Sequence, residues 1–256
     1  MFHVVKHGVG REAAASIVIM LCFLKFFDDV GDARNLPERL SRAYKVFALW
    51  CIAEGKTSSL KNFTRANLHC HTSAKFPYLG GKGSDTTLVL MWLEFYLQIC
   101  LLDRPQGHAA LLKAMQQQAR STLQYLGVMH SHDLWLPLPC ARFMMLEGLK
   151  ALRSYSYCAR AALAMRYRLF CMRPKFHLWA HTIFDLKQSV DSGHAWHLNP
   201  CVWNCEQSED FIGRISRISR HVSTRTTILR TMQRYGLGFQ KKLRLMKKAS
   251  KSRARA

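Results

Sequence analysis

Apolar side chains recur along this chain with the spacing of helix faces, and no run of segments shows the apolar–polar alternation of β-strands. No segment of 20–50 residues repeats. At 256 residues the chain has ample length to bury a core. The pattern predicts an all-α fold, an irregular multi-helix domain of about seven or eight helices with a basic C-terminal tail that stays disordered until it is bound.

Proline, glycine and capping residues divide the first part of this pattern into helices. Residues 12–27 form an apolar first helix. Asn35 and Pro37 supply the cap and the first turn of a second helix, which Gly55 ends. A serine pair then starts a short third helix, which we predict over residues 58–67.

The later helices are longer. Residues 86–102 are apolar around nearly the whole circumference, which predicts a central buried helix. A helix at residues 108–126 is ended by Gly127, and one at residues 140–170 precedes the helix that Pro174 starts. For the helix at residues 140–170 we predict an inward stripe of Phe143, Leu146, Leu149 and Leu152 or Arg153.

Charge is distributed unevenly along the chain. Residues 214–256 hold 14 Lys and Arg and no Asp or Glu, so of the net charge of +22 only +8 belongs to residues 1–213. Such asymmetry indicates a polyanionic partner, nucleic acid before an anionic membrane surface. Contacts to phosphates carry no sequence information, so base-specific recognition does not follow. The alternative interpretation is a solvated helix face.

The basic residues lie on two amphipathic helices and in the tail. Ser223 or Thr224 caps the second helix, and Gly236 ends it. The predicted phosphate-binding residues are Arg214, Arg217, Arg220, Arg225, Arg230, Arg234, Lys241 and Lys242.

Cysteine content and hydropathy indicate an intracellular protein. The nine cysteines are odd in number and form no CxxC pair, which is typical of reduced thiols. Lys25 closes the apolar run at 13–24, and Glu94 and Gln98 interrupt the run at 86–102. We therefore expect a soluble protein with no membrane partner. The basic tail is also typical of a nuclear-import signal.

Two histidines, His177 and His181, stand one helical turn apart, the spacing of helical metal pairs. Cys201 and Cys205 repeat this spacing, so a zinc site with two histidines and two cysteines is one interpretation. The proline within NPCVWNC disfavours a regular helix there. We favour the alternative, in which the histidines are partly buried and hydrogen-bonded while Trp179 packs inward.

An acidic cluster precedes the basic segment. Three of the chain's 16 acidic residues, Glu206, Glu209 and Asp210, fall within five positions. Carboxylate oxygens suit Mg²⁺, and Asp185 or Asp191 would complete such a site in space. The alternative, which the local sequence favours, is a helix N-terminus whose acids interact with the macrodipole without any metal. Of the two metals, we prefer Mg²⁺ to Zn²⁺.

Two further patterns lie in the loop at residues 68–84. The HCH run at 69–71 resembles a metal triplet, but adjacent side chains point apart. The GGKGS run at 80–84 lacks the spacing of a phosphate-binding loop and follows no strand. We expect an ordinary polar loop, with Ser84 or Asp85 capping the next helix.

Both ends of the chain resemble a known family. PKFHLWAH at 174–181, a later tryptophan, and EDFIG at 209–213 with basic residues beyond are similar to the C-terminal region of CACTA-like and KDZ-like transposases. Those proteins carry K-x-H-x-x-x-H, then a tryptophan and E-x-Y/F-x-G. FHVVKHGVGREAAAS at 2–16 is similar to their D-x-M/F-H-x-x-x-x-G-V segment. The helical middle matches in character, as an insertion between catalytic elements.

The resemblance implies an RNase H-like core in which Asp, Asp and Glu bind two divalent metals for strand cleavage and transfer. Glu209 stands at the family's glutamate, and His177 and His181 at its histidine pair. The aspartate that precedes the family's M/F-H would lie before Met1, with the strands and the other aspartate further upstream. The resemblance thus implies a truncated transposase, for which a partner chain would supply the missing catalytic strands.

Three hypotheses follow for the function. The first is a transposase-derived, nuclear or otherwise intracellular protein that binds DNA rather than RNA and is inactive in catalysis alone. The second is a metal-dependent nuclease or transposase that uses Glu209, and the third is a helical scaffold with a basic localisation tail. We expect a helical domain at 1–172, a segment with the histidines, acids and basic helices at 173–236, and a tail at 237–256.

Overall fold

The computed structural model describes residues 2–28, 31, 35–72, 75–103, 107–203 and 206–253, with side chains except at 2, 103, 206–211, 214, 242 and 245–253. It divides into two compact units, unit 1 at Met1–Asn204 and unit 2 at Cys205–Ala256. Helices dominate the described residues, and their strands form a single two-stranded sheet. The prediction of an all-α fold is confirmed. The boundary expected at residue 172 falls inside unit 1.

Unit 1 is built around its first helix. An N-terminal π-helical segment, Phe2–Gly10, is interrupted at Gly8 and leads into helix α1, Arg11–Phe23. A Cβ at Gly8 would lie 2.9 Å from a side-chain carbon of Lys175. α1 is buried continuously from Glu12 to Cys22. It is shorter than the predicted helix because the chain turns at its end.

Helix α2, Leu36–Ala53, begins where the sequence predicts. The side chain of Asn35 accepts a hydrogen bond from the backbone nitrogen of Glu38 at 3.0 Å, and Pro37 lies in the first turn. Gly55 follows the helix with a φ of 59°, a conformation that glycine adopts without strain.

The short helix predicted at residues 58–67 does not form. The carboxylate of Asp85 instead accepts hydrogen bonds from the hydroxyl of Ser58 and the backbone nitrogen of Ser59, each at 2.8 Å. Asp85 belongs to helix α3, Gly83–Asp103, and also accepts from the backbone nitrogen of Lys82 at 3.2 Å. The serines therefore tie the loop to the start of α3 instead of beginning a helix of their own.

Two predictions about the next helices are corrected. α3 is buried on one side only, because Trp92 is fully buried whereas Phe95 is 48% and Leu102 77% exposed. Helix α4, Ala109–Ser131, continues through Gly127, which has a helical backbone and therefore does not act as a stop.

Helices α5, Leu138–Ala164, and α6, Pro174–Asp191, pack closely. A Cβ at Gly148 of α5 would lie 2.7 Å from Cγ1 of Ile183 on α6, so glycine is what allows this approach. The predicted inward stripe of α5 is wrong at Phe143 and Leu146, which are 43% and 49% exposed. Leu152 is buried as predicted, and the packing face also includes the small or unbranched residues Ala141, Met144, Gly148 and Ala151 and the fully buried Tyr155.

A short sheet joins the two ends of this helix pair. Strand β1, Trp135–Pro137, precedes α5 and pairs antiparallel with strand β2, Trp196–Leu198, which follows α6. The side-chain nitrogen of the buried Asn199 then donates to three carbonyls at and beyond the end of α4, at 3.1, 3.1 and 2.8 Å. A single-turn 3₁₀ helix, Pro200–Trp203, follows.

The core of unit 1 is rich in aromatic side chains. Trp92 and Phe63 both lie against Phe47, with ring centroids 5.5 Å away in each case. In a second group, the ring of Tyr125 meets that of Trp179 edge-on at 5.5 Å. These groups fix α2 and α3 on one side and α4 and α6 on the other.

Unit 2 consists of helix α7, Glu206–Ser219, a 3₁₀ turn at Thr224–Thr226, and helix α8, Thr227–Arg253. α8 runs through Gly236, so the predicted stop there is wrong. Its backbone is helical over most of the segment for which a disordered tail is predicted, and residues 254–256 lie outside the description.

Candidate nucleic-acid interface

Helix α7 and the turn after it carry arginine at three-residue intervals. Arg217 and Arg220 are exposed. A three-residue step moves by roughly 60° around a helix, so the two side chains leave adjacent parts of one face. Ile215, which precedes Arg217, and Ile218, which lies between the two arginines, are half-buried. Arg214 continues the spacing, but its side chain lies outside the described part of the chain.

Helix α8 carries a basic stripe, defined as Arg230, Arg234, Lys241 and Arg244, whose side chains are all exposed. At roughly 100° per residue these four positions fall within an arc of about 80°, and about 21 Å of helix separates the first from the last. The predicted residues Arg225 and Lys242 lie outside the stripe. Arg225 is exposed in the 3₁₀ turn before α8, and the side chain of Lys242 is not described.

The opposite side of α8 is apolar. Its apolar stripe consists of Ile228, Met232, Phe239 and Leu243, which are 80%, 69%, 53% and 41% exposed. These positions span an arc of about 60°, roughly opposite the basic stripe. The four cations of the basic stripe and the four residues of the apolar stripe therefore lie on opposite faces of α8.

One member of the basic stripe also holds unit 2 together. Nη1 of Arg234 donates to the backbone carbonyl of His221 at 2.9 Å, which ties α8 to the turn after α7. Nη1 of Arg230 reaches the side-chain oxygen of Gln233 at 3.3 Å. Because residues 214–256 contain no acid, no carboxylate within that segment neutralises the stripe.

The structure brings the two predicted histidines together. The Nε2 atoms of His177 and His181 lie 2.9 Å apart, and the rings meet edge to face with centroids 4.3 Å apart. Both side chains are exposed, so the expected partial burial is wrong, whereas Trp179 is fully buried as predicted. The spacing supplies two neighbouring nitrogen ligands on an open surface.

No further ligand joins the pair within the described residues, among which no group of three or more His, Cys, Asp and Glu is placed to hold a metal ion. The thiol of Cys201 instead lies 3.6 Å from the carbonyl of Asp133, and Cys205 is outside the description. In the HCH run, the ring of His69 stacks on Tyr78 with centroids 3.8 Å apart.

The acidic cluster lies at the start of α7, since that helix begins at Glu206. The side chains of Glu206, Glu209 and Asp210 lie outside the described part, so a magnesium site and a catalytic role for Glu209 stay predictions. Of the two aspartates suggested as additional ligands, Asp191 pairs with Lys187 and Asp185 is exposed.

A second concentration of positive charge lies in unit 1, where the sequence analysis missed it. We call it the cationic cleft, a cavity of about 290 Å³ between the α5–α6 loop, the loop before α3, and the ends of α1 and α2. Five of its lining residues are basic or histidine, namely Arg65, His71, Lys75, Arg166 and Arg168. No described lining residue is acidic. The separation of these residues in sequence explains why no motif revealed the cleft.

One helical segment, Gly83–Leu102, has the length and apolar composition of a membrane span, with a mean hydropathy of 1.4. In unit 1, 44% of its residues are buried. A half-buried core helix has the same properties, and the absence of a membrane partner stays a prediction.

No protein-family model, curated protein or solved structure matches the chain. The resemblance to transposases accordingly stands on the residues quoted for it alone.

Proposed function

We propose that the chain is a transposase-derived protein that binds DNA through unit 2. The observation that carries the proposal is the basic stripe, four exposed cations on one face of α8 in a segment with no acid. Any amphipathic helix places its charges opposite its apolar face, but a solvated or scaffold face usually mixes both signs of charge. A helix that follows a phosphate backbone uses cations alone on the side of the contacts, as the basic stripe does.

Length and chemistry both suit a nucleic-acid backbone. The stripe extends for about 21 Å, and B-DNA presents one phosphate per roughly 1.7 Å of axis, so several phosphates lie within its reach. Arginine forms planar, paired hydrogen bonds with phosphate oxygens, and three of the four residues are arginine. Contacts of this kind give affinity and register without base recognition.

The test measures binding of a fluorescent DNA duplex to the full chain as a function of salt. The test variant replaces Arg230, Lys241 and Arg244 by Gln and keeps Arg234, whose hydrogen bond to His221 supports the fold of unit 2. Since each phosphate contact contributes about 0.9 to the log–log salt slope, we expect the slope to fall by about 2–3 units. The matched control makes the same change at three exposed lysines of unit 1, Lys45, Lys61 and Lys113.

An equal fall of the salt slope in the test and control variants would contradict the proposal, because total charge rather than the basic stripe would then decide DNA binding. A double-stranded RNA of the same sequence compares RNA with DNA. Vesicles containing phosphatidylserine test the other polyanion, since a basic face opposite an apolar face is also typical of helices at membrane surfaces. Binding to vesicles but not to DNA would overturn the proposal, and binding to neither would favour the scaffold.

A second experiment, with a divalent metal ion added, separates DNA binding from DNA cleavage. DNA cleavage in Mg²⁺ or Mn²⁺ that is lost in Glu209→Gln would identify the chain as a metal-dependent nuclease, with Glu209 as a ligand or base. Binding without cleavage agrees with the DNA-binding hypothesis.

A further inference from the structure

The cationic cleft of unit 1 has the composition of a small-molecule site. Its floor is apolar and largely buried, with Ile19 at 2% and Leu169 at 5% exposure. Its rim is cationic, and Arg65, Lys75 and Arg166 form no ion pair with an acid in the described part of the chain. Such a site suits a ligand with one apolar part and one strongly anionic part.

Aromatic side chains define the apolar part. The ring of Tyr167 stacks on that of Phe23 with centroids 4.3 Å apart, and both residues line the cleft. Tyr167 lies in sequence between the cationic residues Arg166 and Arg168. A planar group bound beside Tyr167 would therefore place its charged substituent among the arginines.

The cleft also extends beyond the first cavity. An adjoining cavity of about 340 Å³ shares His71 and Lys75 with it and adds Arg173. A volume of about 290 Å³ lies at the lower end of small-molecule sites, for which about 300–1,000 Å³ is usual. It suits a ligand the size of one nucleotide, with the second cavity next to it along the same basic surface.

Backbone conformation at Arg166 is a further observation. Arg166 follows α5 with a φ of 63°, and its backbone nitrogen donates to the carbonyl of Leu163 while that of Tyr167 donates to Ala162, both at 2.8 Å. This is the helix-ending arrangement in which glycine usually occupies the left-handed position. An arginine here keeps a cation at the rim of the cleft at a position where glycine would be less strained.

From these observations we infer that the cationic cleft binds a nucleotide, with the base against the Tyr167 side and the phosphate among Arg65, Lys75 and Arg166. The nucleotide is either a free mononucleotide or the phosphorylated end of a nucleic-acid strand, which share this chemistry. The inference is independent of the DNA-binding proposal, because it involves only residues of unit 1.

The chain contains a matched control for Arg166. Lys25 follows α1 in the same arrangement, with a φ of 63° and backbone hydrogen bonds from Lys25 to Cys22 and from Phe26 to Leu21 at 3.1 and 3.0 Å. It is exposed and does not line the cleft. Arg166→Gly and Lys25→Gly therefore remove one cation each and relieve the same conformation, but only the first changes the cleft.

The experiment is calorimetric titration of the full chain with AMP, adenosine and inorganic phosphate. We expect AMP to bind at least about tenfold more tightly than either fragment, since only AMP satisfies both parts of the cleft. Arg166→Gly should weaken AMP binding by about tenfold, the effect of losing one charge-assisted contact, and Lys25→Gly by less than twofold. Arg65→Gln repeats the test with a second cation of the cleft, which comes from a different loop than Arg166.

Equal weakening by Arg166→Gly and Lys25→Gly, or no binding of AMP, would overturn the inference. If inorganic phosphate bound as tightly as AMP, the base would contribute nothing to affinity, and the role given to the Tyr167 side would be overturned. The triple variant of the basic stripe should bind AMP normally, so failure of the DNA-binding proposal and failure of this one are separate results. A 5′-phosphorylated trinucleotide that binds more tightly than AMP, and than its unphosphorylated form, would identify a strand end as the ligand.

Discussion

Ser59 and Asp85 are joined twice, because both the backbone nitrogen and the hydroxyl of Ser59 donate to the two carboxylate oxygens of Asp85, at 2.8 and 2.5 Å. Asp85 is 1% exposed. With Ser58 and the backbone nitrogen of Lys82 also donating, one buried carboxylate ties residues near both ends of the loop before α3 to that helix.

We predict that Asp85→Ala lowers the free energy of unfolding by about 3 kcal/mol, since it removes the acceptor of four hydrogen bonds that tie the loop to α3. Ser84→Ala is the control. Ser84 is the neighbouring candidate cap but is exposed, so its loss should cost less than about 0.5 kcal/mol. Urea denaturation of the two variants measures the difference, and similar losses would contradict the role given to Asp85.

The same carboxylate predicts a pH dependence. Burial raises the pKa of Asp85, but the hydrogen bonds from Ser59, Ser58 and Lys82 outweigh it and hold the pKa below the usual aspartate range. The stability that the ionised group contributes is therefore complete above the ordinary aspartate pKa and is lost as the pH falls through the lowered one. The difference in urea midpoint between the wild type and Asp85→Asn should shrink over that acidic window.

Glu12 predicts the opposite dependence of stability on pH. It is 3% exposed, its Oε2 has no hydrogen-bond partner in the described chain, and its Oε1 lies 3.5 Å from Nε of Arg173. Burial raises the pKa of Glu12, against the lowering effect of Arg173, Lys175 and Arg11. The protonated form is thus favoured in the fold, and stability decreases as the pH rises from the ordinary value of 4.5 to the raised pKa.

Glu12→Gln removes this titration, so the stability of the variant relative to the wild type should be greater at pH 7 than at pH 4. Thermal melts at the two pH values measure it. A relative stability that is the same at both would show that Glu12 does not titrate in this window.

Two glycines inside helices should respond to alanine in opposite directions. At Gly148 a Cβ would lie 2.7 and 2.8 Å from Cγ1 and Cδ1 of the buried Ile183, so Gly148→Ala should destabilise unit 1 by about 1–3 kcal/mol. At Gly127 nothing lies within 4 Å, and alanine should stabilise by about 0.5–1 kcal/mol.

The double variant Gly148→Ala with Ile183→Val tests the contact directly. Removing Cδ1 of Ile183 should restore part of the lost stability, which a double-mutant cycle detects. Additive effects of the two changes would contradict the packing argument.

Lys25 and Arg166 have left-handed backbone conformations, so replacing either by glycine should have an unusual effect on stability. Each replacement relieves a conformation that costs a side chain roughly 1–2 kcal/mol, while the greater freedom of glycine in the unfolded chain offsets part of this gain. We expect both variants to melt at or slightly above the wild-type temperature. A clear loss of stability in either would show that its side chain supports the fold.

Local signals predicted much of the fold because their effects are local. Asn35 and Pro37 begin α2, and Pro174 begins α6, since a cap or a first-turn proline acts within one turn. Gly127 and Gly236 were misleading because glycine permits a helix to end without requiring it. Local signals did not predict that Ser58 and Ser59 lie in a loop, because their hydrogen-bond partner, Asp85, is more than twenty residues away.

The candidate sites, too, could be predicted only where their residues lie close together in the sequence. The cations of the basic stripe are close in sequence, so their abundance predicted a binding segment, although the helix face they share depends on α8 continuing past Gly236. Arg65 and Lys75 come from the loop before α3 and Arg166 from the loop after α5, about ninety residues away, so only the fold brings them to one cleft. Charge counting along the chain therefore could not find it.

Pairing of β1 with β2 also has a consequence for how unit 1 comes apart. The two strands bracket the α5–α6 pair, and Asn199, directly after β2, donates to the carbonyls at the end of α4. Loss of α6 would therefore break the sheet and release the end of α4 as well. We expect the amide hydrogens of α4, α5 and α6 to exchange with solvent as one cooperative group, so that this half of unit 1 opens in a single step.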